Sequence, residues 1–331
     1  MDITDKKLLN LIQEAFPLDT RPYRAIGFKI GMPEHEVFHR LENLKKQRII
    51  RRLGGIFDSA KLGYVSTLCA ARVPADKVTP ITEHIQNITE ITHCYLRNHD
   101  YNLWFTVIAC SHQRMEQIIN TIKYLLGNKD VYSLPAKKVF KVKVCLNLLE
   151  QEQKEAMASD GYRKRSPTSP VNAGITEADK ALIRLLQEDL PHTLTPFSTI
   201  AKELNLAEEN VLARIDLFLE CGILRRLGAV LYHQQAGFTS NAMGVWRVPT
   251  SLVSEAGRKM AGYNEVSHCY ERPGLPMFSY NLYTMVHGHS DQECHDVMAK
   301  LSEETGLTDY LLLFSQTEFK KSSMRYFVDF S

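Results

Sequence analysis

Short motifs recur in the same order in the two halves of this chain, and no other feature constrains its fold as strongly. Arg51-Arg52-Leu53-Gly54 returns as Arg225-Arg226-Leu227-Gly228, and His93-Cys94-Tyr95-Leu96-Arg97 returns as His268-Cys269-Tyr270-Glu271-Arg272. Tyr101-Asn102-Leu103 returns as Tyr280-Asn281-Leu282 after a small insertion. Motifs repeated in order over half a chain mark one module, duplicated and fused. Two copies predict an intrachain pseudo-dimer rather than a solenoid. At 331 residues, each copy is long enough to bury a core of its own.

An apolar fraction of 44% and a charged fraction of 24% fit an ordinary globular chain. No apolar run is long enough to span a bilayer, and Met1-Asp2-Ile3-Thr4-Asp5 lacks the basic-then-apolar pattern of a secretory signal. A cytoplasmic protein with no membrane partner is therefore expected. Seven cysteines without a Cys-x-x-Cys argue against a zinc site, an iron–sulfur cluster or a disulfide framework. A net charge of +2 gives no general affinity for nucleic acid, although local patches remain open.

Asp2 to Asp5 offers cap residues before Leu8, Leu9, Leu11 and Ile12, which are spaced as on one helix face. A second helix carries Ala25, Ile26 and Ile30, Gly31-Met32-Pro33 turns the chain, and Glu34 to Lys46 repeats Val37, Leu41 and Leu44. This is a helix-turn-helix unit, followed by a wing or strand over 49–57. The texture then changes to a strand (65–73), a helix (76–87), a hairpin (88–97 and 101–110), a helix (113–126) and a last strand from Val139 to Leu148. That order, βαββαβ, is the ferredoxin-like unit.

The expected fold is α+β: two tandem copies of a winged helix-turn-helix domain followed by a ferredoxin-like domain, with the sheets paired face to face. The predicted boundaries are 1–63 and 64–149 for copy 1, a Ser/Pro-containing tether over 150–174, then 175–240 and 241–331 for copy 2.

A helix-turn-helix followed by a βαββαβ module resembles the Lrp/AsnC transcription regulators, most closely from Val37 to Gly63. The resemblance implies dimerisation through the sheets, small-ligand binding there, and DNA binding. A DNA reader needs cations and amides on its recognition helix. Copy 1 offers His35, His39, Arg40, Lys45 and Lys46, but copy 2 sets Glu208, Glu209, Asp216 and Glu220 against Arg214. Acidic side chains there repel a phosphate backbone, so the helix-turn-helix units are expected to be packing domains rather than DNA readers.

Alternate strand residues share a face, so His93, Tyr95 and Arg97 point one way, as do His268, Tyr270 and Arg272. If the sheets pair, an imidazole, a phenol and a guanidinium from each copy line one pocket. Histidine supplies a proton donor near neutral pH or a metal ligand, and arginine a forked clamp for carboxylates. Together they suit a large planar polyanion. His287, in Met285-Val286-His287-Gly288-His289, ends a strand of copy 2 where copy 1 carries Cys110 nearby, and reads as an acid or an iron ligand. Arg51, Arg52, Arg225 and Arg226 read equally well as solvated wing residues or as ligand cations. Trp104 and Tyr283 are expected to pack or stack, while His99, Asp100 and Pro273-Gly274-Leu275-Pro276 are expected to shape the pocket mouth.

At these motifs the chain resembles the siroheme decarboxylases. Residues 93–106 are similar to one subunit of that family, and residues 268–273 with 280–288 to its partner subunit, so the two appear here as a fusion. The resemblance implies removal of the C12 and C18 acetate carboxyls of siroheme, giving 12,18-didecarboxysiroheme on a route to haem or d-type haem. Siroheme carries eight carboxylates, which calls for several arginine contacts. The roles implied are His268 and His287 as proton donors, with His93 as their pseudosymmetric counterpart. Tyr95 and Tyr270 would orient the substrate and Tyr101 would bind it, while Arg97, Arg272 and the pairs Arg51/Arg52 and Arg225/Arg226 would grip carboxylates. No cofactor or resident metal is expected beyond the iron of the substrate, for which His93, His268 or His287 could be an axial ligand. A homo-oligomer of the fused pair is a further expectation. The competing functions are an Lrp/AsnC-type ligand-responsive transcription regulator and a non-catalytic tetrapyrrole sensor or carrier.

Overall fold

The computed structural model describes residues 1–127, 130–142, 148, 174–232 and 240–328. Apart from Gly174, the tether expected over 150–174 lies outside the described residues. The chain divides into two units, and each draws on both copies.

The first unit holds residues 1–62, 148, 174–232 and 325–328 of the described chain. In copy 1, α1 (Ile3–Glu14), α2 (Pro22–Ile30) and α3 (Glu34–Lys46) form the helix-turn-helix, followed by β1 (Ile50–Phe57). Asp2 and Asp5 close a capping box on α1, so the acidic start of the chain supplies acceptors for two backbone N–H groups that the helix itself leaves unpaired. Copy 2 repeats the plan. Thr176 and Asp179 form the corresponding box on α6 (Glu177–Leu186), and α7 (Pro196–Glu203), α8 (Glu208–Glu220) and β7 (Leu224–Leu231) follow.

The two Arg-Arg-Leu-Gly motifs lie on β1 and β7, which pair antiparallel with Gly54 opposite Gly228. Residues that the sequence assigns to the second sheet domain end in this unit. Tyr326 is buried, its hydroxyl lies 3.0 Å from that of Ser59, and its N–H donates to Gln187 at 2.7 Å. A buried tyrosine whose polar atoms are satisfied by helix-turn-helix residues moves the domain boundary to about residue 324.

The second unit holds residues 63–127, 130–142 and 240–324. Copy 1 contributes β2 (Val65–Ala71), α4 (Ala75–Asn87), β3 (Ile91–Arg97), β4 (Leu103–Ala109), α5 (His112–Leu126), β5 (Val131–Leu134) and β6 (Lys138–Val142). Copy 2 contributes β8 (Ser240–Trp246), α9 (Val253–Ala261), β9 (Val266–Glu271), β10 (Leu282–Gly288), α10 (Asp291–Thr305) and β11 (Tyr310–Lys321). The strand order is β5-β2-β4-β3-β11-β8-β10-β9-β6, so the two ferredoxin-like sheets are joined.

The joints are exchanged last strands. The first part of β11 pairs with β8 of its own copy, and its second part, from Ser315, pairs with β3 of the other. In copy 1 the same course is broken in two: β5 pairs with β2, and β6 crosses to β9. The single last strand expected over 139–148 is therefore corrected to two shorter ones. Pro135 follows β5 and, lacking an N–H, cannot continue the ladder; residues 143–147 lie outside the described residues.

Each sheet packs its helices on one face. Cys94, Phe105 and Ile118 are buried in the copy 1 helix-side core, with Cys269, Val286 and Met298 in that of copy 2. A third cluster joins the opposite faces, with Ala70, Tyr101, Trp104 and Leu134 of copy 1 against Val245, Leu275, Phe278, Tyr283 and Leu313 of copy 2. Face-to-face pairing of the sheets within one chain is thus present.

Candidate active site

On β3 and β9, the residues between the site candidates settle which way the candidates point. Cys94 and Cys269 are fully buried under the helices, so His93, Tyr95 and Arg97, and their counterparts His268, Tyr270 and Arg272, take the opposite face. Cross-strand register agrees, since Tyr95 lies opposite Trp104 and Tyr270 opposite Tyr283, both in the cluster between the sheets.

Each copy builds the same short stack. The His93 and Tyr95 rings are 6.3 Å apart and nearly parallel, and the His268 and Tyr270 rings 6.0 Å apart. The Arg97 guanidinium lies 5.3 Å from the Tyr95 ring centre, and that of Arg272 4.6 Å from Tyr270. Guanidinium over a phenol face is favourable in itself.

Burial is what sets the two arginines apart. Arg97 is 3% exposed and Arg272 9%, yet neither forms an ion pair with a carboxylate among the described residues. Arg97 donates to the Leu313 carbonyl at 2.6 Å, and Arg272 to the Leu134 carbonyl, so each holds the other copy's last strand near its crossover. The Nε of each has no hydrogen-bond partner among the described residues. Burial pushes Arg97 down to about 10 and lowers Arg272 as well, and at neutral pH both remain cations. A buried cation without an anion is costly, and that cost is relieved by a bound carboxylate.

The two histidine neighbourhoods differ. In copy 1, His93 Nδ1 lies 3.0 Å from the Thr92 hydroxyl. In copy 2, His268 Nδ1 lies 2.9 Å from the Ser267 hydroxyl, which is also 2.8 Å from His287 Nε2. Counted along the matching seven-residue strands β4 and β10, the counterpart of His287 is Ile108. The same backbone bond marks both, from Ile108 to the Glu90 carbonyl and from His287 to the Glu265 carbonyl. Ile108 thus replaces Cys110 in the comparison. Ser267 and Thr92 were missed from sequence, where a lone Ser and Thr carry no signal.

Other candidates lie elsewhere or are otherwise engaged. Tyr101 is buried and gives its hydroxyl to the Pro276 carbonyl at 2.9 Å. The insertion after Arg272 turns Leu275 and Phe278 inward, buried against Trp104 and Tyr101, while Gly274, Pro276 and Met277 stay exposed. Tyr95 donates to Glu318 at 3.1 Å.

Arg51, Arg52, Arg225 and Arg226 belong to the first unit. Arg52 donates to the Gln187 carbonyl at the end of α6, and Arg226 to the Gln13 carbonyl near the end of α1. Each therefore caps a helix C-terminus of the opposite copy. Arg225 pairs with Asp58 at 2.9 Å. Among the described residues no group of three or more His, Cys, Asp or Glu is placed to hold a metal ion, and no helix is long and apolar enough to cross a membrane.

Known proteins share this architecture. An AsnC-like ligand binding domain model matches residues 61–141 and 235–320, and a siroheme decarboxylase NirDL-like HTH domain model matches residues 5–51 and 179–225. A siroheme decarboxylase alpha subunit of Desulfovibrio desulfuricans is 47% identical over 144 residues, 44% of this chain and 83% of that subunit. The crystal structure of the siroheme decarboxylase NirDL in co-complex with an iron-uroporphyrin III analogue superposes with a TM-score of 0.72 at 31% identity, covering 99% of this chain and 95% of that one. The siroheme decarboxylase of Hydrogenobacter thermophilus is 34% identical over 322 residues, 97% of this chain and 94% of that protein. With likeness of that order along nearly the full length of both proteins, the chain belongs to the siroheme decarboxylase family.

Proposed function

We propose that the chain is a carboxy-lyase that converts siroheme to 12,18-didecarboxysiroheme, and that the His-Tyr-Arg faces of the second unit act on the substrate. The observation that carries this is the pair of buried guanidiniums, Arg97 and Arg272, which have no carboxylate partner among the described residues and share a strand face with His93 and His268, a tyrosine between each pair. A substrate bearing many carboxylates supplies what they lack. The relatives named siroheme decarboxylase and the related structure holding an iron-uroporphyrin III analogue support the same class of ligand.

Loss of carbon dioxide from a ring-attached acetate leaves an electron pair on the methylene carbon, and the macrocycle delocalises it. A proton must then be delivered to that carbon to give a methyl group. His268 and His287 are the donors in copy 2, and His93 is the counterpart in copy 1. Tyr95 and Tyr270 orient the substrate beside them.

For the first unit we infer packing rather than DNA reading. The cations of α3 are already paired: Arg40 with Asp2, Asp5 and Glu36, Lys45 with Asp189, and Lys46 with Glu42. On α8, Arg214 is held by Asp179. Cations so engaged are poorly placed to neutralise phosphates.

Anaerobic incubation of the purified chain with siroheme, followed by mass spectrometry of the tetrapyrrole, tests the enzyme. Loss of two carbon dioxide units is expected. Siroheme that is bound tightly and returned unchanged would instead favour a carrier or sensor, and sequence-specific, salt-dependent DNA binding would favour a regulator.

A further inference from the structure

Ser267 lies at a break in strand register that aims its side chain. His268 pairs with Met285 and Val266 with Val286, so Ser267 is the extra residue of a β-bulge. Copy 1 has the same bulge at Thr92, since His93 pairs with Thr106 and Ile91 with Val107. A bulge turns a side chain that would otherwise alternate to the far face. Here it places a hydroxyl, 5% exposed, between two imidazole nitrogens at 2.9 and 2.8 Å.

That arrangement restricts the protons. A hydroxyl has one hydrogen to donate and two lone pairs, so when that hydrogen goes to one imidazole nitrogen rather than to the Met285 carbonyl 3.4 Å away, the oxygen accepts from the other imidazole. The three groups then form a directed chain. In copy 1 the chain stops at Thr92, because Ile108 occupies the place of His287.

We propose that Ser267 is a proton-relay residue that couples His268 to His287 as His268 delivers its proton; this rests on the decarboxylase reading above. As carbon dioxide departs, the proton on His268 Nε2 moves to the substrate carbon and forms the new C–H bond. The Ser267 hydroxyl proton passes to His268 Nδ1, and the proton on His287 Nε2 passes to the Ser267 oxygen. His287 begins as an imidazolium and ends neutral, which balances the negative charge removed from the carbon; a solvent proton then taken up at His268 Nε2 sends a proton back from Nδ1 through Ser267 to His287 and restores the starting state. No other reactant is needed. Ser267 acts through His268 and is a positioning residue rather than a catalytic one.

The test follows both decarboxylations by rapid-quench mass spectrometry for the wild-type chain, Ser267→Ala and Ser267→Thr, with siroheme affinity measured by absorbance titration. Ser267→Ala is expected to keep its affinity for siroheme. The decarboxylation that His268 serves should slow about 10-fold or more, so that the singly decarboxylated tetrapyrrole accumulates. Ser267→Thr keeps the hydroxyl and should restore that step to within about threefold of wild type. The relay is overturned if Ser267→Ala shows no accumulation, or if both variants lose affinity and both steps slow alike, which is the mark of a structural role. A wild-type chain that returns siroheme unchanged overturns the decarboxylase itself, an outcome separate from an active enzyme indifferent to Ser267.

Discussion

Gly54 of β1 lies directly opposite Gly228 of β7, and neither position has room for a side chain. A Cβ on Gly228 would lie 2.5 Å from the Ile12 carbonyl oxygen, and one on Gly54 would collide with the Glu188 carbonyl and approach that of Leu186 to 2.9 Å. Each obstacle is main chain from the opposite copy, which cannot rotate away. Gly54→Ala or Gly228→Ala is therefore expected to cost the first unit about 1–3 kcal/mol. Thermal unfolding followed by calorimetry should show one transition lowered and another unchanged, and an unaltered profile would contradict the close approach.

Arg272 and Arg97 separate binding from stability. Replacing Arg272 by Met removes one hydrogen bond to a carbonyl, but it also removes a buried charge without a counterion. The two effects offset, and the net cost is expected to stay under about 2 kcal/mol. Siroheme affinity should nevertheless fall about 10-fold or more, because a charge-assisted contact to a carboxylate is lost. Absorbance titration beside thermal melts checks both; a variant that unfolds while the wild-type affinity for siroheme is retained by its folded fraction would make Arg272 purely structural.

Tyr101→Phe should leave siroheme turnover unchanged, in contrast to the substrate-binding role expected from sequence. Its hydroxyl is bonded to the Pro276 carbonyl, so the loss should appear as about 1 kcal/mol of stability in the second unit. A large fall in turnover at unchanged stability would return Tyr101 to the site.

Asp179 gives the first unit an acid-sensitive contact. Burial raises its pKa, but hydrogen bonds from Arg214 and Thr176 outweigh burial and leave it below 3.8. A carboxylate depressed in the folded state contributes stability that is complete above its unfolded value and fades as pH falls through the folded one. Asp179→Asn should remove that part of the acid dependence. At neutral pH, Arg214→Met should cost about 2–4 kcal/mol by leaving a buried carboxylate unpaired. Denaturant unfolding at pH 7 and below pH 4 distinguishes the two variants.

Much of the fold was legible because its signals are local. Capping residues, three-residue and four-residue apolar spacing, and the repeated motifs place the helices and the two copies. The shared face of His93, Tyr95 and Arg97 follows from strand alternation alone. What escaped depends on distant pairing. Nothing around Pro135 says that the chain will leave its own sheet for β9, and nothing around Ser267 marks a bulge. Tyr101 and Arg52 are chemically able to bind a substrate; only the positions of Pro276 and Gln187 show where their donors are directed. His287 was matched to Cys110 by proximity, and strand register was needed to identify Ile108.

The exchange of last strands has a consequence for how the protein is made. During synthesis β3 emerges long before β11, so the edge of the first sheet at β3 stays uncovered until the sheet of copy 2 has been made. An open strand edge invites pairing with other molecules. Were the two copies separate chains, that edge would have to find its cover by diffusion. Fusion makes the encounter intramolecular, at an effective concentration that dilution does not change. The duplicated chain thus carries the missing edge of each half within itself.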